Sequence, residues 1–437
     1  MNETKDKVAA FLAKHGMHYA DISVEEVCGV FLDEMRQGLS GTTSSLAMLS
    51  TYIETEREVP RNKPVIVMDA GGTNFRVATV CFRDEGEPEI SAFRVFAMPG
   101  IKEEVGKDRF FGVMAGYIAD IVNTSDSIGF CFSYPIEMFP TKDGRVLYFS
   151  KEIKAPEVVG QMIGASLNEA ISDSTDAGPK QIVLLNDTVA TLLAGKAHSS
   201  GAHFDSYIGF ILGTGTNTSY VEQNKNIAKA KDLDPAKAQI VNVESGGFGK
   251  APRGTVDKQL DADSASPGVN VFEKMISGAY LGPMCHATMR LASEEGLFSK
   301  DAAQRLMTVR ETSTKDISDF LSNPEGSANP LAKALKRAPH ADTVTLYYLV
   351  DALIERAAKL TAANLSSAAI KCGKGRDPSR PVCIVAEGTT FYHLTSLRQK
   401  VEYYLKQYPV DGQGVYYRIV TVENATLIGA AIAGLTN

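Results

Sequence analysis

The segment that follows Ser23 carries the apolar spacing of an amphipathic helix. Ser23 opens a capping box, and Val27, Phe31 and Met35 then recur at intervals of four residues. Gly38 is the expected stop signal, because glycine readily adopts the left-handed conformation that ends many helices. The pattern therefore predicts a helix of about four turns between the serine and the glycine.

Farther along the chain, short apolar runs alternate with longer amphipathic stretches. The runs predict buried strands at 65–68, 128–132, 182–185, 207–212 and 382–386. The stretches at 187–197 and 425–435 predict helices, the second of them buried. Two polar segments with several prolines, 252–270 and 311–345, predict excursions on the surface. Alternation of this kind favours an α/β fold with mainly buried sheets.

One strand–turn–strand pattern occurs twice in the sequence. Residues 65–80 read VIVMDAGGTNFRVATV, and residues 207–222 read YIGFILGTGTNTSYVE. Both place Gly-Thr-Asn in a glycine-rich turn between two apolar runs. Chance is one explanation, because this composition is ordinary for turns. The matching flanks favour a duplicated unit, and hence two related lobes.

Composition and charge narrow the possible classes of protein. The 437 residues suggest two or three domains. A formal net charge of −7 argues against a general nucleic-acid binder, which needs basic residues to displace counterions. Six cysteines without a C-x-x-C pair argue against a disulfide scaffold or a zinc ribbon. With no secretory signal and no apolar run of ~20 residues, the sequence predicts a cytoplasmic protein without a membrane partner.

The first glycine-rich turn has a composition that suits a phosphate. Its two glycines let backbone N–H groups approach an anion, and Thr73, Asn74 and Arg76 add side-chain donors. Asp69, at the end of the preceding strand, is placed to hold magnesium through water. An ordinary hairpin explains this turn about as well. The second turn strengthens the phosphate interpretation, since two cradles can clamp one polyphosphate.

Known nucleotide motifs are missing from both turns. The chain has no G-x-x-x-x-G-K-[ST], so a P-loop is not expected. Neither turn contains G-x-G-x-x-G, which disfavours a Rossmann dinucleotide site.

Three acidic residues are candidates for acid–base chemistry or hydroxyl binding. Asp187 follows the strand at 182–185 and opens a helix, where it is either a helix cap or a base facing a cleft. Glu244 and Glu273 would usually be solvated surface residues. Both have glycines and aromatic residues close by, which is typical of a shaped loop.

At this point the sequence resembles the hexokinase family along nearly its whole length. The matching segments, in chain order, are FLDEMRQGLSG, SSLAML, DAGGTNFR, FSYP, FSKEIKAPEVVG, LLNDTVATLLAG, ILGTGTN, NVESGGFG, PGVNVFEKMISGAYLG, AEGTTFY and ATLIGAAIAGL. Each segment alone is modest support, but their order and spacing together are highly specific.

The resemblance implies a role for each matching residue. Asp187 is expected to be the general base for a sugar hydroxyl, with Lys151 as a second catalytic residue. The residues expected to line the sugar site are Ser133, Ser150, Lys151, Asn186, Asp187, Asn217, Glu244 and Glu273. Those expected to serve the phosphates and magnesium are Asp69, Gly71, Gly72, Thr73, Asn74 and Arg76, opposed by Gly213, Thr214 and Gly215. Ser277, Gly388 and Thr389 are expected near the nucleoside.

The resemblance also implies a fold and a reaction. The expected fold is a two-lobed actin-like ATPase (ribonuclease H-like) α/β fold, with a mixed five-stranded sheet flanked by helices in each lobe. The small lobe would be 62–186 plus about 424–437, and the large lobe 1–61 plus 187–423, with the active-site cleft between them. The implied enzyme uses ATP and Mg²⁺ to phosphorylate the 6-hydroxyl of a hexose, feeding glycolysis, and closes on its sugar. Glucose is the first candidate, mannose and fructose follow, and a monomer or a homodimer is expected.

Some positions depart from the family pattern. Phe149-Ser150-Lys151 stands where the family often has Trp-Thr-Lys, and Glu387 stands where Asp usually precedes the Gly-Ser or Gly-Thr pair. Pro283 replaces a residue that is often acidic. Two other functions stay open: a non-catalytic nucleotide-binding sugar sensor, and a kinase for another polyol or an acyl phosphate. Asp69, Asp187 and the two glutamates disfavour the sensor, and the two glutamates together with Lys151 disfavour the other kinase.

Overall fold

The predicted strands and helices are present, but they alternate only in part, because three strands follow one another at 64–97 and seven helices at 255–371. The structure is a computed structural model and describes residues 2–149, 153–197 and 203–437. Its helices are α1 Asn2–Lys14, α2 Val24–Ser40, α3 Lys107–Ile118, α4 Ile163–Ser174, α5 Asp187–Ala197, α6 Thr255–Ala262, α7 Glu273–Ile276, α8 Gly278–Glu294, α9 Lys300–Leu306, α10 Thr314–Ser322, α11 Pro330–Leu335, α12 His340–Lys371, α13 Thr389–His393, α14 Leu397–Leu405 and α15 Ala425–Thr436. Its strands are β1 Leu49–Ser50, β2 Pro64–Gly71, β3 Asn74–Cys81, β4 Glu89–Ala97, β5 Ser127–Phe132, β6 Ile136–Met138, β7 Gly144–Val146, β8 Gln181–Leu185, β9 Ser206–Leu212, β10 Thr216–Gln223, β11 Ala238–Asn242, β12 Val382–Glu387 and β13 Tyr417–Val420.

Two mixed sheets repeat one strand order. The first sheet runs β4-β3-β2-β5-β8, and the second runs β1-β11-β10-β9-β12-β13. In each, three consecutive antiparallel strands lead into two parallel ones. The two-residue strand β1 gives the second sheet a sixth member at its edge, one more than the expected five. The doubled pattern in the sequence thus corresponds to equivalent hairpins, β2–β3 and β9–β10.

The helices α5 and α15 lie between the two sheets. Their apolar residues share one core with Val65 and Val67 of the first sheet and Val385 of the second. The packing is close enough to need glycine, because a Cβ atom on Gly429 of α15 would overlap the backbone carbonyl of Ala190 in α5. The C-terminal apolar stretch is therefore a buried helix, as predicted.

The helix after Ser23 starts where predicted but ends later. Ser23 Oγ accepts a hydrogen bond from the Glu26 N–H at 3.2 Å, and α2 then runs to Ser40. Gly38 is not its end, which corrects the prediction. Gly41 ends the helix with a φ of 81°, whereas Gly38 makes room for a neighbour: a Cβ atom there would lie 2.6 Å from Met48 Cγ. Packing, rather than helix termination, accounts for Gly38.

The two segments predicted as surface excursions are partly helical. The segment 252–270 contains α6, and 311–345 contains α10, α11 and the start of α12. Ile317, Phe320 and Leu321 form an apolar face with helical spacing on α10, which the prolines nearby obscured. Among the described helices, none is both long and apolar enough to cross a membrane.

Candidate active site

The first hairpin presents a tight, partly exposed turn at the end of the first sheet, in which Gly72 is buried. Gly71 pairs with Asn74, so Gly72 and Thr73 form the tip, and Gly72 has a φ of 87° that favours glycine. Thr73 and Asn74 are exposed. Behind the turn, the Tyr134 hydroxyl donates to the Gly72 carbonyl at 2.6 Å. The hydrogen bond from Tyr134 thus supports the inner side of the turn, while Thr73 and Asn74 remain exposed to solvent.

Asp69 is buried directly behind this turn. Its side chain is 4% exposed, and its Oδ2 lies 3.4 Å from Arg76 Nη1 and 3.0 Å from Thr426 Oγ1. Burial raises the pKa of Asp69, the charge of Asp187 raises it further, and Arg76 and Thr426 act in the opposite direction. A buried carboxylate beside a partly exposed glycine turn fits a water-mediated contact to magnesium on a nucleotide.

The second hairpin carries a three-residue loop between Leu212 and Thr216. The Gly213 carbonyl accepts hydrogen bonds from the Gly278 N–H and the Thr390 hydroxyl, both at 2.8 Å. The Thr214 carbonyl accepts from the Ala279 N–H at 3.1 Å. The loop is therefore docked onto the beginnings of α8 and α13.

The residues predicted near the nucleoside surround this second loop. Gly388 has a φ of 111°, and a Cβ atom there would overlap the Leu212 carbonyl, so only glycine fits. Thr389 begins α13 and is exposed. Ser277 precedes α8, and its hydroxyl is buried without a hydrogen-bond partner in the described part of the chain. An unpartnered buried hydroxyl and a glycine-lined wall fit an additional polar ligand such as a nucleotide.

Asp187 is the first residue of α5, and the capping role falls on its neighbour. Asn186 Oδ1 accepts from the Thr188 N–H at 2.9 Å, two residues ahead, which is the geometry of a helix cap. Asp187 Oδ1 also receives that N–H, at 2.8 Å. The simple explanation of Asp187 as a helix cap is therefore weakened, because Asn186 supplies the cap.

Glu244 lies just after β11 in an arrangement that holds its carboxylate firmly. It has a φ of 56°, which is unusual for a residue with a side chain. Its Oε1 accepts from Asn242 Nδ2 at 2.7 Å and from Asn217 Nδ2 at 3.2 Å. Burial raises the pKa of Glu244, and the charges of Asp187 and Glu273 raise it further. The hydrogen bonds from Asn242 and Asn217 act in the opposite direction and lower this pKa. A buried amide and a half-buried amide thus orient a carboxylate that also lies near the charges of Asp187 and Glu273.

Glu273 begins α7 and reaches the second hairpin. Its Oε2 accepts from the Thr216 N–H at 3.0 Å, and a Cβ atom on Gly215 would lie 2.6 Å from that oxygen. Burial raises the pKa of Glu273, while the Thr216 N–H and Lys274 act in the opposite direction. Lys274 itself is buried and donates to Asp261 Oδ1 at 2.7 Å, which ties α7 to the last turn of α6.

These acidic residues form one electrostatic neighbourhood. The charge of Asp187 acts on both Asp69 and Glu244, and that of Glu273 acts on Glu244. Asp69 belongs to the first sheet, whereas Glu244 and Glu273 belong to the side of the second. In the described ranges, no three His, Cys, Asp or Glu side chains are grouped to hold a metal ion by themselves. The arrangement suits a ligand with hydroxyl donors beside a metal-bound anion.

Three predicted sugar-site residues remain, and the structure describes one of them. Ser133 follows β5 and is half-buried, with its N–H donating to the Ala70 carbonyl at 3.2 Å. Ser150 and Lys151 lie outside the described residues.

Sequence reasoning missed three residues in this neighbourhood: Asn242, Tyr134 and Thr426. Asn242 had a signal, since it is a polar residue at the end of a buried strand, two positions before Glu244. Thr426 had none, because nothing in the local sequence brings the C-terminal helix to Asp69.

Comparison with known proteins identifies the family. Two sequence profiles, both described as hexokinase, match residues 11–197 and 207–436. The chain belongs to the hexokinase family. It is accordingly a sugar kinase, a phosphotransferase that acts on an alcohol group.

The individual relatives are distant in sequence and similar in fold. Hexokinase-1 of Oryza sativa subsp. japonica is 27% identical over 437 residues, covering 93% of this chain and 86% of the rice protein. Hexokinase-2 of Equus caballus is 28% identical over 385 residues, covering 83% of this chain and 41% of its own length. The chain thus spans less than half of that horse hexokinase.

A solved hexokinase supports the fold assignment. The structure of a hexokinase from Schistosoma mansoni complexed with glucose superimposes with a TM-score of 0.77 over 99% of both chains at 23% identity. The predicted α/β actin-like ATPase fold is confirmed by this likeness.

Proposed function

We propose that the protein transfers the terminal phosphoryl group of ATP to the 6-hydroxyl of a hexose. Glucose is the first acceptor to test, with mannose and fructose next, and the hexose 6-phosphate would feed glycolysis. The observation that carries the proposal is the position of Asp187. Its charge acts both on Asp69 behind the first glycine turn and on Glu244, so Asp187 lies near the proposed phosphate cradle and near the proposed hydroxyl-binding residues.

The sugar would be held by acceptors that only a polyol satisfies. Glu244 and Glu273 accept sugar hydroxyls, and Ser133, Asn186 and Asn217 add donors and acceptors. Ser150 and Lys151 are proposed to complete this side of the site. A hydrocarbon in the same place would leave buried carboxylates unpaired, at a cost of about 1–3 kcal/mol each. The pocket therefore selects for hydroxyl groups.

Asp187 would act as the base for the 6-hydroxyl. It orients the attacking oxygen and accepts its proton as the bond to phosphorus forms. Lys151 would place positive charge beside the transferred group. Phosphoryl transfer needs little covalent chemistry from the protein, so orientation and electrostatics account for most of the rate.

The two glycine hairpins would hold the nucleotide. The first uses Gly71, Gly72, Thr73, Asn74 and Arg76, and the second uses Gly213, Thr214 and Gly215. Ser277, Gly388 and Thr389 would face the nucleoside. Magnesium, when bound, neutralises charge on the phosphates, and Asp69 would hold it through water.

The proposed lobes are 62–186 plus about 424–437, and 1–61 plus 187–423. This division agrees with the packing of α15 against β2, β5 and β8 of the first sheet. Closure of the lobes on the sugar would assemble the site only when the acceptor is present. Water, which competes as an acceptor, would then be excluded from the phosphoryl group.

A kinase assay with the purified protein tests this proposal. ADP release is measured with glucose, mannose, fructose, N-acetylglucosamine and glycerol, each with and without magnesium. We expect magnesium-dependent ADP release with at least one hexose and little with glycerol. Hexose binding without ADP release would instead favour the sugar sensor, and activity confined to glycerol would favour a kinase for another polyol.

A further inference from the structure

The two oxygens of the Asp69 carboxylate are held unequally. Oδ2 accepts a hydrogen bond from Thr426 Oγ1 at 3.0 Å and lies 3.4 Å from Arg76 Nη1. Oδ1 lies on the side of the glycine turn, since a Cβ atom on Gly71 would be 3.4 Å from it. The Cys131 thiol also hydrogen-bonds to this carboxylate. Together with that thiol, the partners of Oδ2 determine which oxygen faces the turn.

The two partners of Oδ2 differ in how firmly they are held. The Arg76 side chain is 46% exposed and reaches Oδ2 only at long range, a geometry that restrains a carboxylate weakly. Thr426 is half-buried on the first turn of α15, and its branched side chain has one torsion to fix. Thr426 is the firmer of the two restraints.

The position of Thr426 is itself fixed by the packing of α15. A Cβ atom on Gly429 would overlap the backbone of Ala190 in α5, and one on Gly129 of β5 would overlap the Ala430 carbonyl. Backbones packed this closely transmit displacements instead of absorbing them. The Thr426 hydroxyl, which donates to Asp69, is thereby held in a fixed position relative to the first sheet and to α5.

We propose that Thr426 is a positioning residue for nucleotide binding. Its hydroxyl ties up Asp69 Oδ2 and so turns Oδ1 toward the magnesium and phosphate side of the glycine turn. The inference rests on the proposed function, since it takes Asp69 as the residue that holds magnesium through water. Groups that orient a metal-binding carboxylate typically change metal affinity about 10- to 100-fold when they are removed.

Calorimetric titration of the full-length protein with ADP, with and without magnesium, tests the proposal. Thr426→Val removes the hydroxyl at nearly constant shape, and Thr426→Ser keeps it. We expect Thr426→Val to weaken MgADP binding about 10-fold or more. ADP binding without magnesium and hexose binding should not change, and Thr426→Ser should restore the MgADP affinity.

Several outcomes would overturn the role of Thr426. Unchanged MgADP affinity in Thr426→Val is one, and an equal loss for MgADP, metal-free ADP and hexose is another, because it would indicate a merely structural role. Thr426→Ala serves as a second hydroxyl-free variant if the valine does not fold. A wild-type protein that binds ADP equally with and without magnesium also contradicts the inference. Loss of hexose-dependent ADP release alone, with the Thr426→Val effect intact, would contradict only the proposed function.

Discussion

At the scale of single residues, Asp187 does not have to cap α5, because Asn186 does so. The asparagine amide oxygen caps α5 through the Thr188 N–H, so the aspartate is not needed as the cap. A carboxylate at the start of a helix is also favoured by the helix dipole.

We expect Asp187→Asn to retain the fold and hexose binding but to lower kcat about 10²- to 10⁴-fold, the usual contribution of a positioned base. Asparagine keeps the shape and the acceptor for the Thr188 N–H but cannot take a proton. Steady-state kinetics together with hexose titration measure both properties. Near-normal turnover would remove Asp187 from the mechanism.

Glu244 shows how neighbours can orient a carboxylate without neutralising it. Asn242 and Asn217 donate to the same oxygen, Oε1, and both are neutral. The second oxygen is thereby presented in a defined direction, toward a hydroxyl donor in the proposal.

For Glu244→Gln we expect the KM for hexose to rise about 10- to 100-fold, because a hydrogen bond to a charged acceptor contributes ~1.5–3 kcal/mol. The KM for ATP should change little. Glu295→Gln, which alters an exposed carboxylate paired with Lys14, is the matched control and should leave both constants unchanged. An unaltered hexose KM in Glu244→Gln would place Glu244 outside the sugar site.

At the scale of secondary-structure elements, α15 packs against α5 and against β2, β5 and β8 of the first sheet. Its small residues face α5 and β5, where backbones approach too closely for larger side chains. From the sequence, the Gly/Ala-rich stretch predicts a buried helix, and that prediction is confirmed. Its neighbours could not be predicted, because small residues fit against any close backbone.

We expect Gly429→Ala to lower the free energy of unfolding by about 1–3 kcal/mol or more, since an added methyl group must displace α5 or α15. Gly112→Ala in α3 is the control: a Cβ atom there meets no neighbour within 4 Å. Alanine at that helical position should stabilise the protein by about 0.4–1 kcal/mol. Urea unfolding measures both variants, and equal effects would argue against close packing at Gly429.

At the scale of the whole molecule, two sheets of the same strand order bring acidic groups of both sides together. Burial raises the pKa values of Asp69, Glu244 and Glu273. Between the ordinary and the raised pKa, the folded protein binds more protons than the unfolded chain. These three groups therefore contribute stability at low pH that is lost as the pH rises through the raised pKa values.

This linkage predicts that Glu244→Gln is more stable than the wild-type protein at neutral pH, although its hexose binding is weaker. Glutamine keeps the acceptor for both asparagines and removes one charge from the cluster. The gain in free energy of unfolding should shrink toward zero below the ordinary pKa of a glutamate. Urea unfolding at neutral and acidic pH checks this, and a gain that grows as the pH falls would contradict the linkage.

The sequence by itself determined the features that depend on local order. Apolar periodicity, the glycine turns and the segments in their family order suffice for the α/β fold, the doubled hairpin and the candidate residues. At 311–345 the prediction from the sequence missed the helices, because prolines and polar residues there obscure the short apolar face of α10.

Only the tertiary structure decided how these parts meet. Asn217 reaching Glu244 and Thr426 reaching Asp69 both involve neighbours whose local sequence carries no sign of the contact. Thr426 and Asp69 are separated by 357 residues. Helix, strand and turn preferences depend on a few residues that are adjacent in the chain. Contacts between distant residues depend instead on how the sheets and helices pack, because this packing sets the position of each side chain.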